Sequence, residues 1–374
     1  MILLQDGPGG RPALFDVPRA VIRARRAADV LPALRRAEQA LAAGHWVAGL
    51  LAYEAGQALE PALAGLRRAP SGPLVHLGIY DAPLPADAAL ARAGAEAADA
   101  RLGAPEPALP RAAHAAAIAR ALDLIRAGDC YQVNLTFPLT ASFQGTPLGL
   151  FAALSRVQPV GHGAVVVLPD APALVSLSPE SFFATDAAGG ITVRPMKGTR
   201  PRHADPARDA ALAADLRGAA KDRAENLMIV DLMRNDLSRI CRVGSVRVPQ
   251  LFAVESFATL HQMVSEVRGT LLPGTGFADI LRAIFPCGSI TGAPKIRAMQ
   301  IIHELEPRAR GAYCGAIGWA GPDGASAFNV AIRTLTLHPG GAVTLNVGGG
   351  VVADSTAEGE WEEALWKARF ARLT

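Results

Sequence analysis

Apolar and polar positions change period several times along this 374-residue chain, and each change marks an element. In VLPALRRAEQALAAG the apolar side chains recur at helical spacing, whereas WVAGLLAYEAG and PLVHLGIY are apolar runs that read as strands. The segment from Ala82 to Pro110 is rich in Ala and Pro and reads as a surface connection with room for a short helix. From Arg111 the pattern predicts a helix to about Ala127, strands through CYQVNLTFPLTASF, a short helix near Leu148, and strands at HGAVVVLP, ALVSLSPESFFAT and GGITVRPMKG. Gly189-Gly190 reads as the hairpin turn between the last two. Helices follow at about 206–218 and 220–239, then strands, a helix opening at GAPK, three strands to Asn346 and a C-terminal helix from about Ala357. Strands come in adjacent runs separated by helices, which predicts an α+β fold with antiparallel sheets and not a Rossmann-type sheet. Residues 1–110 are expected to contribute to the same large fold as residues 111–374.

Composition narrows the partners. Half the chain is hydrophobic, enough for a large core, yet no apolar run reaches the roughly 18 residues of a membrane span. The start, MILLQDGPGG, lacks the regions of a signal peptide, so a cytoplasmic protein without membrane contact is expected. Cys130, Cys241, Cys287 and Cys314 are far apart with no C-x-x-C pair, which suits reduced core thiols. A net charge of +3 with arginines mixed among acids, and only 5% aromatics, argues against nucleic acid. Lysine and arginine total 37, but only Lys197, Lys221, Lys295 and Lys367 are lysines. Lys197 sits among arginines in RPMKGTRPR. Arginine cannot release a proton near neutral pH, so a retained amine there suggests chemistry that needs one.

Two acidic helix faces stand out. Asp222 and Glu225 are three apart in KDRAENLMIVDLMRND, where Leu227, Ile229, Val230, Leu232 and Met233 supply apolar packing. In EGEWEEALWKA, Glu360, Glu363 and Lys367 share one face. Carboxylates from two helices are what Mg²⁺ accepts, although Lys221 with Glu225 and Glu363 with Lys367 equally read as surface ion pairs. CGSITGAPK opens a helix with Pro294 at its first position and Thr291 placed to cap it, a start that attracts anions. Gly348, Gly349 and Gly350 follow the strand AVTLNV and would let backbone approach a ligand. Arg333 is a cation in an apolar run and needs an anionic partner. His261 and Tyr313, taken singly, read as core residues.

In chain order these pieces resemble the successive motifs of the chorismate-utilising enzymes: YQVNLT, LVSLSPESFF, RPMKGTRPR, ENLMIVDLMRNDLSRI, HQMVSEV, GSITGAPK, YCGAIGW, FNVAIRTL and GGGVVADS with EWEEALWKA. The resemblance covers about 111–374 and implies two antiparallel β-sheets packed together, helices outside, and the active site between them. It also implies that K-G-T at Lys197 marks the aminodeoxychorismate synthases, since anthranilate synthases typically carry alanine there and isochorismate and salicylate synthases another apolar residue. Lys197 would then attack C2 of chorismate as the C4 hydroxyl leaves, and ammonia would enter at C4 and expel the lysine. Flanking Arg194 and Arg200, with partial desolvation, would lower its pKa. Glu180 resembles the acid that protonates the departing hydroxyl. Glu225 and Glu363 look like Mg²⁺ ligands, with Asp222 and Glu360 holding metal-bound water. Arg333, Tyr313 and Gly348–Gly350 would hold the enolpyruvyl carboxylate, Lys367 would add charge near the ring carboxylate, and Thr199, His261 and Thr291 would complete the lining. Gln132 stands where water-adding relatives carry lysine, which disfavours water attack. Ser181 replaces the usual arginine of S-P-E-R-F, and no counterpart of the tryptophan-binding motif is found. The implied reaction makes 4-amino-4-deoxychorismate for 4-aminobenzoate and folate, with ammonia from a glutamine amidotransferase subunit; anthranilate synthase component I, or a non-catalytic chorismate-binding homologue, is the alternative.

Overall fold

Alternation along the strands sorts side chains between layers. Ile2 and Leu4 enter one apolar cluster and Leu3 another; Ala164 and Val166 part from Val165 in the same way, and Ala48 and Leu50 from Val47 and Leu51. The shared cluster, with Phe15, Leu174, Ile317 and Trp319, lies where two sheets face each other. The other two clusters back each sheet with helices. The molecule, described from a computed structural model over residues 1–373 except 67, 69–71 and 258–259, is thus a helix-covered pair of antiparallel sheets, as the pattern predicts.

The 11-stranded sheet runs in the order Gly292–Ala293, Gln132–Gln144, Ala342–Val351, Thr334–Leu337, Ala173–Ser178, His162–Val166, Ile2–Leu4, Ala13–Phe15 and Leu84–Pro85, with Arg101–Leu102 and Glu106–Pro107 also on Gln132–Gln144. The 10-stranded sheet runs Met196–Pro201, Leu260–Thr270, Gly190–Val193, Ser181–Thr185, Ser326–Val330, Ala316–Ala320, Trp46–Leu51, Val75–Tyr80 and Ala20–Ala24, with Arg247–Ser256 on Leu260–Thr270. Strands from residues 1–85 fill one end of each sheet.

Several local expectations change. The segment from Ala82 to Pro110 is more than a connection: its helix Asp87–Glu96 buries Ala89 and Ala93 against the 11-stranded sheet's helical cover. CYQVNLTFPLTASF forms a single long strand, Gln132–Gln144. Four strands, not three, follow the GAPK helix, and Gly348–Gly350 lie inside the last, Ala342–Val351. Pro294 is the N-cap of Lys295–Leu305, not its first residue, and the Thr291 hydroxyl donates instead to the carbonyls of Cys287 and Gly288 at 3.1 and 3.2 Å. Gly190 begins a strand, so the hairpin turns at Asp186–Gly189. In the helix Ala220–Ser238 the buried face is Asn226, Ile229, Val230, Met233 and Leu237, and Leu227 is exposed.

Candidate active site

Two of the chain's passages from one sheet to the other lie side by side. After Ala173–Ser178 it crosses at Pro179 and Glu180 into Ser181–Thr185; after Ser326–Val330 it crosses back through Arg333 into Thr334–Leu337. The crossings are stitched together: Val330 N–H donates to the Glu180 carbonyl at 3.0 Å, Leu177 N–H to the Arg333 carbonyl at 2.9 Å, and the Ser178 hydroxyl to the Val330 carbonyl at 2.6 Å. Arg333 adopts φ +50°, a left-handed backbone that a bulky residue rarely takes. Its Nη1 is buried without a partner, and burial pulls its pKa below the ordinary value. A guanidinium so placed calls for an anion.

Glu180 is 4% exposed, and burial raises its pKa to about 7 against a 2.7 Å hydrogen bond donated by Ser289 to Oε1. That carboxyl gains and loses its proton near neutral pH, the property of a general acid. Its backbone is fixed by Ser178 and Val330, so Ser181 in place of arginine leaves Glu180 oriented by other means.

Lys197 lies on the edge strand Met196–Pro201, whose pairing with Leu260–Thr270 shifts register between Lys197 and Thr199. Gly198 makes that bulge with φ +74°, and a Cβ there would stand 2.7 Å from Asp222 Cγ. The glycine of K-G-T thus lets the acidic helix close on the strand. Burial lowers the Lys197 pKa, Lys367 pushes the same way, and Glu225, Glu180 and Glu363 oppose them. The flanking arginines do not cause this. Arg194 pairs with Glu255 and Glu266, and Arg200 with Asp215 at 2.7 Å and Asp222 at 3.2 Å, so both are neutralised locally.

A cavity of about 450 Å³ collects Glu180, Lys197, Thr199, Tyr313, Arg333, Gly348, Gly350, Asp222, Glu225, Glu360, Glu363 and Lys367 from both sheets and both acidic helices. Gly349 does not line it but lies beside it: a Cβ would meet Glu360 Oε2 at 2.8 Å, so a side chain there would displace that carboxylate. Lys367 Nζ donates to the Gly348 carbonyl at 2.9 Å and pairs with Glu363 at 2.7 Å. Gln132 is fully buried behind Gly350 with both amide atoms unpartnered. His261 and Thr291 stand outside the lining. The His261 ring joins Ser256 at 2.8 Å and Asp209 at 3.0 Å, pinning the helix Pro206–Gly218 from behind. Sequence reasoning passed over Ser289, which touches Glu180, and Gln262, whose amide donates to the Gly198 carbonyl at 2.8 Å and accepts from the Thr199 hydroxyl at 3.0 Å. Period-2 alternation about His261 carries no sign of the second role.

The four carboxylates face the cavity in different states. Glu225 makes no hydrogen bond or ion pair among the described residues, and its pKa is raised by burial, with Asp222 and Glu363 adding to the rise. Glu360 accepts from the Ser355 hydroxyl at 2.6 Å, leaves Oε2 buried and unpartnered, and is raised by burial and by Glu363. Lys221 pairs with Asp354 at 3.0 Å instead of Glu225. Among the described residues no three His, Cys, Asp or Glu groups already stand together as a metal cluster. The donors are nonetheless hard oxygens from two helices; Asp222 and Glu363 are paired with Arg200 and Lys367, but among the described residues Glu225 and Glu360 Oε2 have no partner, which fits Mg²⁺ in kind.

A family described as chorismate binding enzyme matches residues 2–372. The chain belongs to that family. Relatives within this chorismate-binding family include aminodeoxychorismate synthase component 1 of Klebsiella aerogenes, 49% identical over 243 residues, 65% of this chain and 53% of that protein. Anthranilate synthase component 1 of Streptomyces coelicolor is 42% identical over 257 residues, 69% of this chain and 50% of that protein. The matches thus span about half the length of these relatives. The crystal structure of anthranilate synthase component I from Streptococcus pneumoniae superposes with a TM-score of 0.82 at 26% identity, covering 96% of this chain and 92% of that one. The family's fold is therefore this chain's fold. No helix among the described residues is long and apolar enough to cross a membrane.

Proposed function

We propose that this chain converts chorismate and ammonia into 4-amino-4-deoxychorismate, as the synthase half of a complex in which a glutamine amidotransferase supplies the ammonia. The observation that carries this is Lys197, an amine with a burial-lowered pKa in the same cavity as the proton-holding Glu180. The names of the 46–49% identical relatives support it, and "component 1" among them supports a second subunit.

Neutral Lys197 Nζ forms a bond to C2 of the ring, the ring double bonds shift, and the C4 hydroxyl departs as water with the proton that Glu180 gives up. The amine, now carrying an extra proton, returns one to Glu180. Ammonia then bonds to C4, the double bonds shift back, and Lys197 leaves C2 as the free amine with a proton from Glu180, which the nitrogen now on C4 replaces by giving up one of its own. One water is released for each ammonia taken up. The unpaired Arg333 guanidinium and Tyr313 hold the enolpyruvyl carboxylate. Glu225, Glu360 and Glu363, with Asp222, would hold Mg²⁺, which when bound supplies positive charge for the ring carboxylate.

Incubation with chorismate, Mg²⁺ and ammonium, followed by chromatography, should show aminodeoxychorismate as the main product. Glutamine should replace ammonium only after an amidotransferase subunit is added. Anthranilate as the main product would overturn the reading in favour of the second group of relatives.

The acid role of Glu180 also sets a pH dependence. Its protonated form is present below about 7 and is lost as pH rises, so the rate should fall on the alkaline side. Because Ser289 donates to the ionised carboxylate, Ser289→Ala should raise that pKa and move the alkaline limb upward by about one pH unit. An unmoved limb in a rate–pH profile would remove Glu180 as the acid.

A further inference from the structure

Both faces of the strands Thr334–Leu337 and Ala342–Val351 are covered, one by helices and the other by the opposite sheet, so both alternating sets should be apolar. They are not. Leu335, Leu337, Val343, Leu345 and Val347 fill the helix-side core, while the alternate positions Thr334, Thr336, Thr344 and Asn346 belong to the layer between the sheets. Elsewhere that layer is Ile2, Phe15, Leu50 and Ile317. At the polar end it opens into a cavity of about 430 Å³, nearly the size of the one holding Lys197.

The facing wall is equally distinctive. His76 lies between Val75 and Leu77 of the helix-side core, so its ring enters the inter-sheet layer; it is 2% exposed and Nε2 has no partner. Burial, aided by Arg23 and Arg25, pushes its pKa down to about 4, so the ring is neutral at physiological pH. Leu50, Val166 and Leu174 supply an apolar face. Among the described residues no carboxylate lines the cavity, and the exposed Arg308, which makes no hydrogen bond or ion pair among them, stands at its wall. The Thr334 hydroxyl is bonded to Ser176 and the Ile332 carbonyl and that of Thr344 to His338, whereas the buried His76 imidazole has no partner, a cost that a polar occupant would relieve, and the exposed Arg308 guanidinium favours a negative one.

We infer that this inter-sheet cavity is a second ligand site, which takes a small carboxylate with an apolar body, of the benzoate type. Tyr313 and Asn346 border both cavities, so an occupant here presses on the wall of the substrate site. The inference concerns binding and stands apart from the reaction proposed above.

Calorimetric titration of the full chain with benzoate and with 4-aminobenzoate tests it. Saturable binding of one of these is expected, and it should persist when chorismate, without ammonia, saturates the other cavity. Thr336→Phe fills the second cavity and should weaken benzoate-type binding at least tenfold while leaving chorismate affinity within about twofold. Thr336→Val, which keeps the shape and removes the hydroxyl, should weaken it severalfold and guards against misfolding of the larger variant. Absence of saturable binding, or binding that chorismate displaces and neither variant alters, overturns the inference. Failure of chorismate itself to bind would count against the proposed reaction, and the response of benzoate binding to the Thr336 variants would still decide the second site.

Discussion

Lys197→Arg is expected to lose about three orders of magnitude in turnover while still binding chorismate. Arginine keeps the positive charge and much of the length but cannot deprotonate, so it isolates the property that burial confers on Lys197. Lys197→Ala should also lose most aminodeoxychorismate formation, and its residual product should shift toward the 2-amino isomer or anthranilate, since ammonia is then the only amine able to reach C2. Mass spectrometry of the wild-type chain quenched with chorismate and no ammonia should find added mass on the peptide containing Lys197. Near-normal product from Lys197→Arg, with no adduct on the wild type, would reduce the residue to a cation that any side chain could supply.

Glu225→Gln and Glu363→Gln should each lower activity by about two orders of magnitude or more at limiting Mg²⁺. The two differ without metal. Glu225 is held above its ordinary pKa by burial and by its carboxylate neighbours, so the folded protein binds its proton more tightly than the unfolded chain. Stability in the absence of Mg²⁺ should therefore rise as pH falls through the range just above the ordinary glutamate value, and Glu225→Gln should abolish that rise. Glu363 is held below its ordinary pKa despite burial, chiefly by Lys367 at 2.7 Å, so Glu363→Gln should give up stability at neutral pH. Melting curves with and without Mg²⁺ read both effects. Full activity of either variant at low Mg²⁺ would mean that its carboxylate is not a metal ligand.

Much of this could be read in advance because it is local. The acidic faces at Asp222/Glu225 and Glu360/Glu363, the helix Pro206–Gly218 and the alternating strands follow from spacing along the chain. What spacing does not carry is which sheet a strand joins. ALVSLSPESFFAT reads as one strand, and nothing in it says that it breaks into Ala173–Ser178 and Ser181–Thr185 or that Glu180 marks a passage between layers. Ionic partners are equally non-local: Arg194 and Arg200 look like a field around Lys197 until Glu255, Glu266 and Asp215 arrive from elsewhere and cancel it. His261 and Thr291 fall within motifs that surround the cavity, yet their side chains are spent holding its walls. Ser289 escaped notice because a serine in a tight turn ordinarily caps its own backbone.

The sheet order also governs how the molecule comes into being. Val47 pairs with Ala320 and Ile2 with Val166, so strands near the start of the chain take partners synthesised much later. On the ribosome the edge of Trp46–Leu51 that will receive Ala316–Ala320 must wait unpaired until the chain has grown to Ala316, which exposes it to misassociation and makes slow, high-contact-order folding the expectation. The strand Ala342–Val351 and the helix Ala357–Lys367 emerge later still, and both are walls of the lysine-bearing cavity. A nascent chain therefore has no place to hold a substrate until the helix Ala357–Lys367 has been made.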